Sequence, residues 1–269
     1  MREAVLVKLG GSLITEKDRP DTARVEVIAR LAGEIADVWP TMDRGLVLGH
    51  GSGSFGHEAA RRYRIVEEGI AAPDRAAGAS DTQAKAMRLH GIVTEALREA
   101  GVPVFSLSPG SAAVSSSDRP VSFHVEPVAL ALSWGLLPVT YGDVVLDRER
   151  GAAILSTEVV FRELAGALPA HGWRVDRVIW LGETDGIYDA QGEPIPSVSA
   201  ANAASVKALV GGSASTDVTG GMAHRLDAAL WLAEHGIVSW IGDGTEPGVL
   251  ARALRGQETG GTRVAPAAG

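Results

Sequence analysis

The chain has 269 residues and is 45% apolar, enough to bury the core of one large α/β domain or of two lobes on a shared sheet. Its formal charge of −8 argues against general nucleic-acid binding, so a site for a polyanion must be built locally from a few cations. Cysteine is absent, which excludes disulfides and thiolate metal sites; no apolar run reaches about 18 residues, so no membrane span is expected; and the chain opens directly on the strand-like AVLVKLG, the expectation being a cytoplasmic protein with no signal peptide.

In chain order, AVLVKL (4–9) predicts a strand, and the spacing of Val27, Ile28, Leu31 and Ile35 predicts a helix over 24–38. LVLG (46–49) predicts a second strand, leading through a glycine-rich loop to a helix from about 56. A long helix follows near 78–100, with Met87, Val93, Ala96 and Leu97 facing inward and Gly101 closing it. Strand 102–107, a helix near 124–134 and strand 136–142 come next. DVVLDRERGAAIL (143–155) reads as a β-hairpin turning at 148–151. A helix near 157–168, a strand over 177–186, helices near 203–209 and 220–235, strand 238–242 and a short helix near 247–254 complete the pattern. Strands alternating with helices predict an open, mostly parallel sheet with helices on both faces, an αβα sandwich.

In such sheets ligands bind at the carboxyl ends of the strands. The loops there are KLGGSLITEK (8–17), GHGSGSFGH (49–57), TYGDVV (140–145), LGETDGIYD (181–189) and STDVTGGMAHRL (215–226), all rich in glycine or small polar residues. Glycine lets backbone N–H groups approach an anion, and a helix N-terminus adds a favourable dipole. Several such loops on one edge predict a polyphosphate site. A Walker A loop is excluded, because no Gly-Lys pair occurs. Gly51, Gly53 and Gly56 fit the dinucleotide fingerprint, but no second strand ending in an acidic residue follows about 20 residues on. Lysine is scarce: of 25 basic residues only Lys8, Lys17, Lys85 and Lys207 are lysines, and two of them flank the GGS loop. A compact ammonium suits a transferring phosphoryl group where a guanidinium fork does not fit.

Taken together, VKLGGSLITEK, GHGSGSFGH, YGDVVLD and STDVTGGMAHRLDAALWLAEHGI resemble the isopentenyl phosphate kinases, a branch of the amino acid kinase superfamily. The resemblance runs from about residue 4 to GTRV at 261–264; the fosfomycin kinases, with a similar histidine, are the nearest competitor. It implies one amino acid kinase domain over 1–269, with an acceptor lobe over about 1–170 and a nucleotide lobe over about 171–265. It also implies a homodimer, an ATP and Mg²⁺ requirement, a role in isoprenoid biosynthesis, and a prenyl monophosphate as substrate, with neither nucleic acid nor membrane as partner. The alternatives are a kinase of the same fold for another small phosphate or phosphonate, and a non-catalytic nucleotide-binding member.

The resemblance also implies roles. Lys8 and Lys17 would contact the transferring phosphoryl, with Lys17 stabilising the transition state. Gly10, Gly11 and Ser12 would hold the β- and γ-phosphates through the backbone. Ser52 and Gly53 lie where the two phosphates meet, and His57 would hydrogen-bond the acceptor phosphate without acting as a base. Thr184, Asp185, Gly186 and Tyr188 would face the nucleotide, while Thr219, Gly220, Gly221, Met222 and Arg225 would cradle phosphates. Gly142, Asp143 and Thr157 complete the acceptor side, and Met87 with the small residues 76–79 would supply the apolar pocket for a prenyl tail. Mg²⁺ would be held by nucleotide and water, with no protein metal ligand. His50, His90, His124, His171, His224 and His235 receive no role.

The sequence departs from the family pattern after the hairpin. Ser156, Thr157 and Glu158 stand where Ser-Gly-Asp is usual, and Arg225 replaces a lysine. Thr157 is expected to bring a β-branched side chain to the acceptor's approach, and Glu158 to orient both lysines.

Overall fold

The computed structural model describes residues 1–70, 73–211, 221–258 and 260–266, apart from the side chains of 57, 58, 73 and 74. Its frame is an eight-stranded sheet. The strands that build it are β1 (Arg2–Leu9), β2 (Gly45–His50), β3 (Val104–Ser106), β6 (Leu137–Tyr141), β9 (Trp173–Gly182), β10 (Ser197–Val198), β11 (Val238–Asp243) and β12 (Thr262–Val264). The order across the sheet is β10-β12-β11-β9-β1-β2-β6-β3. Every pair is parallel except β11 with β12.

The central strand β1 is buried on both sides from Ala4 to Leu9, which is why it reads as an apolar run interrupted only by Lys8. Its side chains alternate between two cores. Val5, Val7 and Leu9 face α2 (Val25–Val38), α5 (Pro73–Glu99) and α11 (Val249–Leu254), where Ile28, Leu31, Leu89, Val93 and Leu250 pack. Ala4 and Leu6 face α7 (Glu126–Ser133), α8 (Thr157–Ala167) and α10 (Gly221–Glu234), through Val128, Phe161, Leu164 and Leu226. The sandwich expected from the alternating pattern is thus observed, and the one sheet runs through both the expected lobes.

A second sheet has four strands, ordered β5-β4-β7-β8. Strands β7 (Asp143–Asp147) and β8 (Gly151–Leu155) form the expected hairpin, with Asp143 opposite Leu155 and Asp147 opposite Gly151. Strands β4 (Ala113–Ser116) and β5 (Arg119–Phe123) were not expected; their polar stretch with Pro120 lacks the apolar alternation that marks a strand. Short helices complete the chain: α1 (Gly11–Ile14), α3 (Gly53–Arg62), α4 (Ile65–Glu68), α6 (Pro109–Ala112) and α9 (Ala203–Gly211). The expectation for Met87 is corrected: α5 buries Val93 and Leu97, but Met87 is 52% exposed, on the helix face turned away from the core. Among the described residues no helix is long and apolar enough to cross a membrane.

Candidate active site

The parallel register aligns the strand ends in one row. Leu9 lies opposite both His50 and Leu181, His50 opposite Tyr141, and Leu181 opposite Gly242. The glycine loops therefore leave the sheet along a single edge. The GGS loop is not extended: its residues form the one-turn helix α1, with Gly10 preceding it. That turn packs against the start of α3 so closely that a Cβ on Gly11 would lie 2.5 Å from the Gly53 nitrogen. Thr15 staples the two turns together, its hydroxyl donating to the Gly11 carbonyl (2.8 Å) and accepting from the Ser54 N–H (3.0 Å). Ser12 and Ser52 are half-buried at this junction.

Lys8 sits near the end of β1, 8% exposed, and its ammonium pairs with the Glu158 carboxylate from the first turn of α8. Arg225 of α10 is also buried and reaches the neighbouring strand end; a Cβ on Gly182 would lie 3.0 Å from its Nη1, and one on Gly10 3.5 Å from its Nη2. Burial is the largest influence on Lys8 and lowers its pKa; the Glu158 charge opposes the shift and Arg225 adds to it. For Glu158, burial would raise the pKa, but the Lys8 charge and hydrogen bond outweigh it and hold the carboxyl below its ordinary value. The pair is buried, with the Arg225 guanidinium close enough to bear on both its members.

Lys17 is elsewhere. Its side chain is 62% exposed and its ammonium lies 3.0 Å from Glu183 Oε2, while Arg24 Nη1 holds the other Glu183 oxygen at 2.7 Å. Glu158 thus orients one lysine, not two, and the carboxylate beside Lys17 is Glu183, at the end of β9. Burial would raise the Glu183 pKa, but Lys17 and Arg24 more than offset it.

Thr157 also departs from expectation. It is 1% exposed, and its hydroxyl donates to the His50 carbonyl at 2.7 Å. Its methyl fills the space left by the missing side chain of Gly49, where a Cβ would lie 2.5 Å from Thr157 Cγ2 and 2.7 Å from Phe161. The β-branched side chain points down onto β2, away from any ligand approaching the strand ends. Asp143 is likewise committed: its Oδ2 accepts from Ser108 Oγ and the Gly110 N–H, each at 2.9 Å, and its Oδ1 from the Val144 N–H at 2.8 Å. Burial raises its pKa against these donors. Gly142 lies beside it, with Leu155 and Thr157 as neighbours.

In the loop after β9, Asp185 is exposed and accepts a hydrogen bond from the Tyr188 hydroxyl; Gly186 is buried against Thr262; Thr184 is half-buried. Gly221 opens α10, and Met222 packs against the core. Thr219 and Gly220 lie outside the described residues, as does the side chain of His57, whose backbone is in α3. Met87 lies exposed on α5. Gly78 takes the Tyr63 ring against its backbone, and Ala79 joins Ile65, Val144 and Ala152 in a small closed core. Residues that the sequence reading missed are Thr15, Arg24, Glu183 and Ser108. Each acts through a partner distant in the chain, and only the run of polar residues at strand ends pointed towards them.

The model of the amino acid kinase family matches residues 3–243. The chain belongs to the amino acid kinase family. Among its relatives, the isopentenyl phosphate kinase of Methanothermobacter thermautotrophicus is 34% identical, over 97% of this chain and 98% of that protein. The isopentenyl phosphate kinase of Haloferax volcanii is also 34% identical, over 92% of this chain and 98% of its own length. A solved structure of isopentenyl phosphate kinase, 30% identical, superposes with a TM-score of 0.80 over 97% of this chain and 99% of the other. These likenesses cover nearly the whole chain, and with it the whole row of strand ends.

Proposed function

We propose that this chain is an ATP-dependent kinase that phosphorylates isopentenyl monophosphate to the diphosphate. The observation that carries the reading is the buried Lys8–Glu158 pair with Arg225 beside it, at adjacent strand ends of a chain similar throughout to isopentenyl phosphate kinases.

A phosphate monoester has a second pKa near 6, so it is already a dianionic nucleophile at neutral pH and requires no general base. The enzyme's task is to bring two polyanions together and neutralise the charge that moves between them. Lys8, fixed by Glu158, would hold the transferring phosphoryl, and Arg225 would bind phosphate from the nucleotide side. Gly11, Ser12 and Gly53 would offer backbone donors at the junction of α1 and α3, with Gly221 opening α10, whereas the Gly10 N–H expected to join them is already given to the Leu181 carbonyl at 2.8 Å. Lys17 would exchange Glu183 for the phosphoryl oxygens as charge develops on them. Ser52 and His57 would hold the acceptor phosphate. Thr184, Asp185, Gly186 and Tyr188 would face the nucleotide.

The carboxylates Glu158 and Glu183 are occupied by cations, so magnesium fits as a companion of the nucleotide phosphates, where it supplies charge neutralisation when bound. The acceptor's tail would run towards the partly buried Tyr63, Ile70 and Ile154 at the margin of the small core, not towards Met87. A cytoplasmic homodimer belongs to the proposal; a second copy would cover the exposed Leu130 and Trp134 at the end of α7. The test is ADP release from ATP with isopentenyl, dimethylallyl and geranyl monophosphates and fosfomycin as competing acceptors. Isopentenyl monophosphate should give the highest kcat/KM; a preference for fosfomycin would replace this reading with phosphonate phosphorylation.

A further inference from the structure

Beneath the second glycine loop lies a row of polar side chains that the transfer scheme does not use. His50 ends β2 and is fully buried. Its Nδ1 lies 3.0 Å from the Gly51 carbonyl oxygen, and its Nε2 lies 3.1 Å from Nδ1 of His90 on α5. Nε2 of His90 lies 2.6 Å from Ser106 Oγ on the edge strand β3. The two imidazoles and the Tyr141 ring are stacked, with centroids 4.4 to 5.7 Å apart.

The groups at the ends of this row fix every proton in it. A carbonyl oxygen only accepts, so His50 donates from Nδ1. A neutral imidazole has one donor and one acceptor. Nε2 of His50 therefore accepts, His90 donates to it from Nδ1, and Nε2 of His90 accepts from the Ser106 hydroxyl. Both rings are neutral at pH 7. Burial drives the His50 pKa down to about 4, with the Lys8 charge contributing in the same direction, and that of His90 to about 3.

The carbonyl that His50 holds belongs to the same peptide unit as the Ser52 N–H. No cis peptide bond occurs among the described residues, and in a trans peptide the C=O and N–H point in opposite directions. With the carbonyl turned onto the buried ring, the Ser52 N–H is turned away from it, on the side of the strand ends. Among the described residues that N–H donates to no protein acceptor.

We propose that His50, kept in its Nδ1–H form by His90 and Ser106, is a positioning residue that fixes the Gly51–Ser52 peptide and so presents the Ser52 N–H to a phosphate oxygen at the point of transfer. Gly51 has no side chain to oppose rotation of this peptide; its N–H is held by the Leu9 carbonyl, and its own carbonyl is held by the ring. The inference deepens the kinase reading and rests on it for the identity of the phosphate.

Three measurements test it. Long-range ¹H–¹⁵N spectra of the ring nitrogens in the wild-type protein should show His50 protonated at Nδ1 between pH 5.5 and 7.5; protonation at Nε2 overturns the proposal. The Ser52 amide proton should move downfield when inorganic pyrophosphate is added to the wild type and not when it is added to His50→Phe; the same response in both overturns it. In turnover, His50→Phe should lower kcat/KM for the acceptor at least about tenfold, with the KM for ATP changed less than about twofold, a loss of the size expected for one positioned donor. His50→Asn, whose amide nitrogen can stand in for Nδ1–H, should recover most of that loss; equal kcat/KM for the Phe and Asn variants would reduce His50 to packing. The spectra of the wild type need no variant to fold, and the pyrophosphate titration needs no turnover. A wild-type enzyme that ignored every prenyl monophosphate would therefore defeat the kinase reading while these two measurements still decided the role of His50.

Discussion

Lys8 and Glu158 stand 150 residues apart in the chain and meet as a buried ion pair where β1 ends and α8 begins. Taking charges out of water is costly, and removing one partner of a buried pair leaves the other uncompensated, at about 3–5 kcal/mol. Here the uncompensated group would be a lysine already facing Arg225. Glu158→Gln should therefore lower turnover at least about tenfold, equivalent to about 1.4 kcal/mol of barrier. It should also lower thermal stability, and differential scanning calorimetry beside steady-state kinetics checks both. Full activity in this variant would remove the pair from the mechanism.

Lys17 should behave in the opposite way. In its pair with half-buried Glu183 the lysine is largely exposed, and ion pairs at the surface contribute about 0–1 kcal/mol. Lys17→Ala should leave the melting temperature nearly unchanged. Turnover should fall on the order of 100-fold, as for other groups that stabilise developing charge. Equilibrium ATP affinity measured beside kcat separates the roles: affinity falling in step with turnover would assign Lys17 to ground-state binding.

Thr157 is held on two sides, by the His50 carbonyl and by the gap at Gly49. Thr157→Val keeps the shape and removes only the donor. Because the Gly142 N–H also donates to the His50 carbonyl, the cost should be near 1 kcal/mol. Thr157→Gly opens a cavity against Phe161 and frees the backbone at the start of α8, so it should cost more, about 2–3 kcal/mol. Restoring the usual family residues at 157 and 158 together should therefore yield a less stable protein, not a better kinase. Urea denaturation of the three variants measures this, and a Thr157→Gly protein as stable as wild type would contradict the packing described.

The frame of the fold was legible because β1, β2, β6, β9 and β11 are short apolar runs and the helices between them have clear periodicity. The β4–β5 hairpin was not, since Ser115 to Pro120 carries almost no apolar signal and is a strand only through its partner β7. The loops of the site were legible from their glycines. Partnerships were not: the pairing of Glu183 with Lys17, the inward turn of Thr157 and the contact of His50 with His90 are set by register between strands and by helices far away in sequence. Met87 was misplaced because α5 carries small and apolar residues around much of its circumference, so periodicity did not separate its faces.

Acid should unfold the protein in a characteristic window. The pKa values of His50 and His90 are depressed in the folded state, to about 4 and about 3. Unfolded histidine titrates near 6.5, so below that pH the unfolded chain binds protons that the folded chain refuses. Stability should thus be full above about pH 6.5 and fall as the pH drops towards 4, by up to about 1.4 kcal/mol per pH unit for each ring. Denaturant melts at pH 7, 6 and 5 measure the slope. A variant carrying His50→Asn and His90→Asn should show a flatter acid limb; an unchanged slope would show that other groups dominate.

The most direct test of the central claim is ³¹P NMR of the purified protein with ATP, Mg²⁺ and isopentenyl monophosphate. The monoester resonance should be replaced by the two coupled resonances of a diphosphate as ADP accumulates, and Lys8→Ala should abolish the change. ATP and monophosphate persisting unchanged beside the wild-type protein would contradict the account.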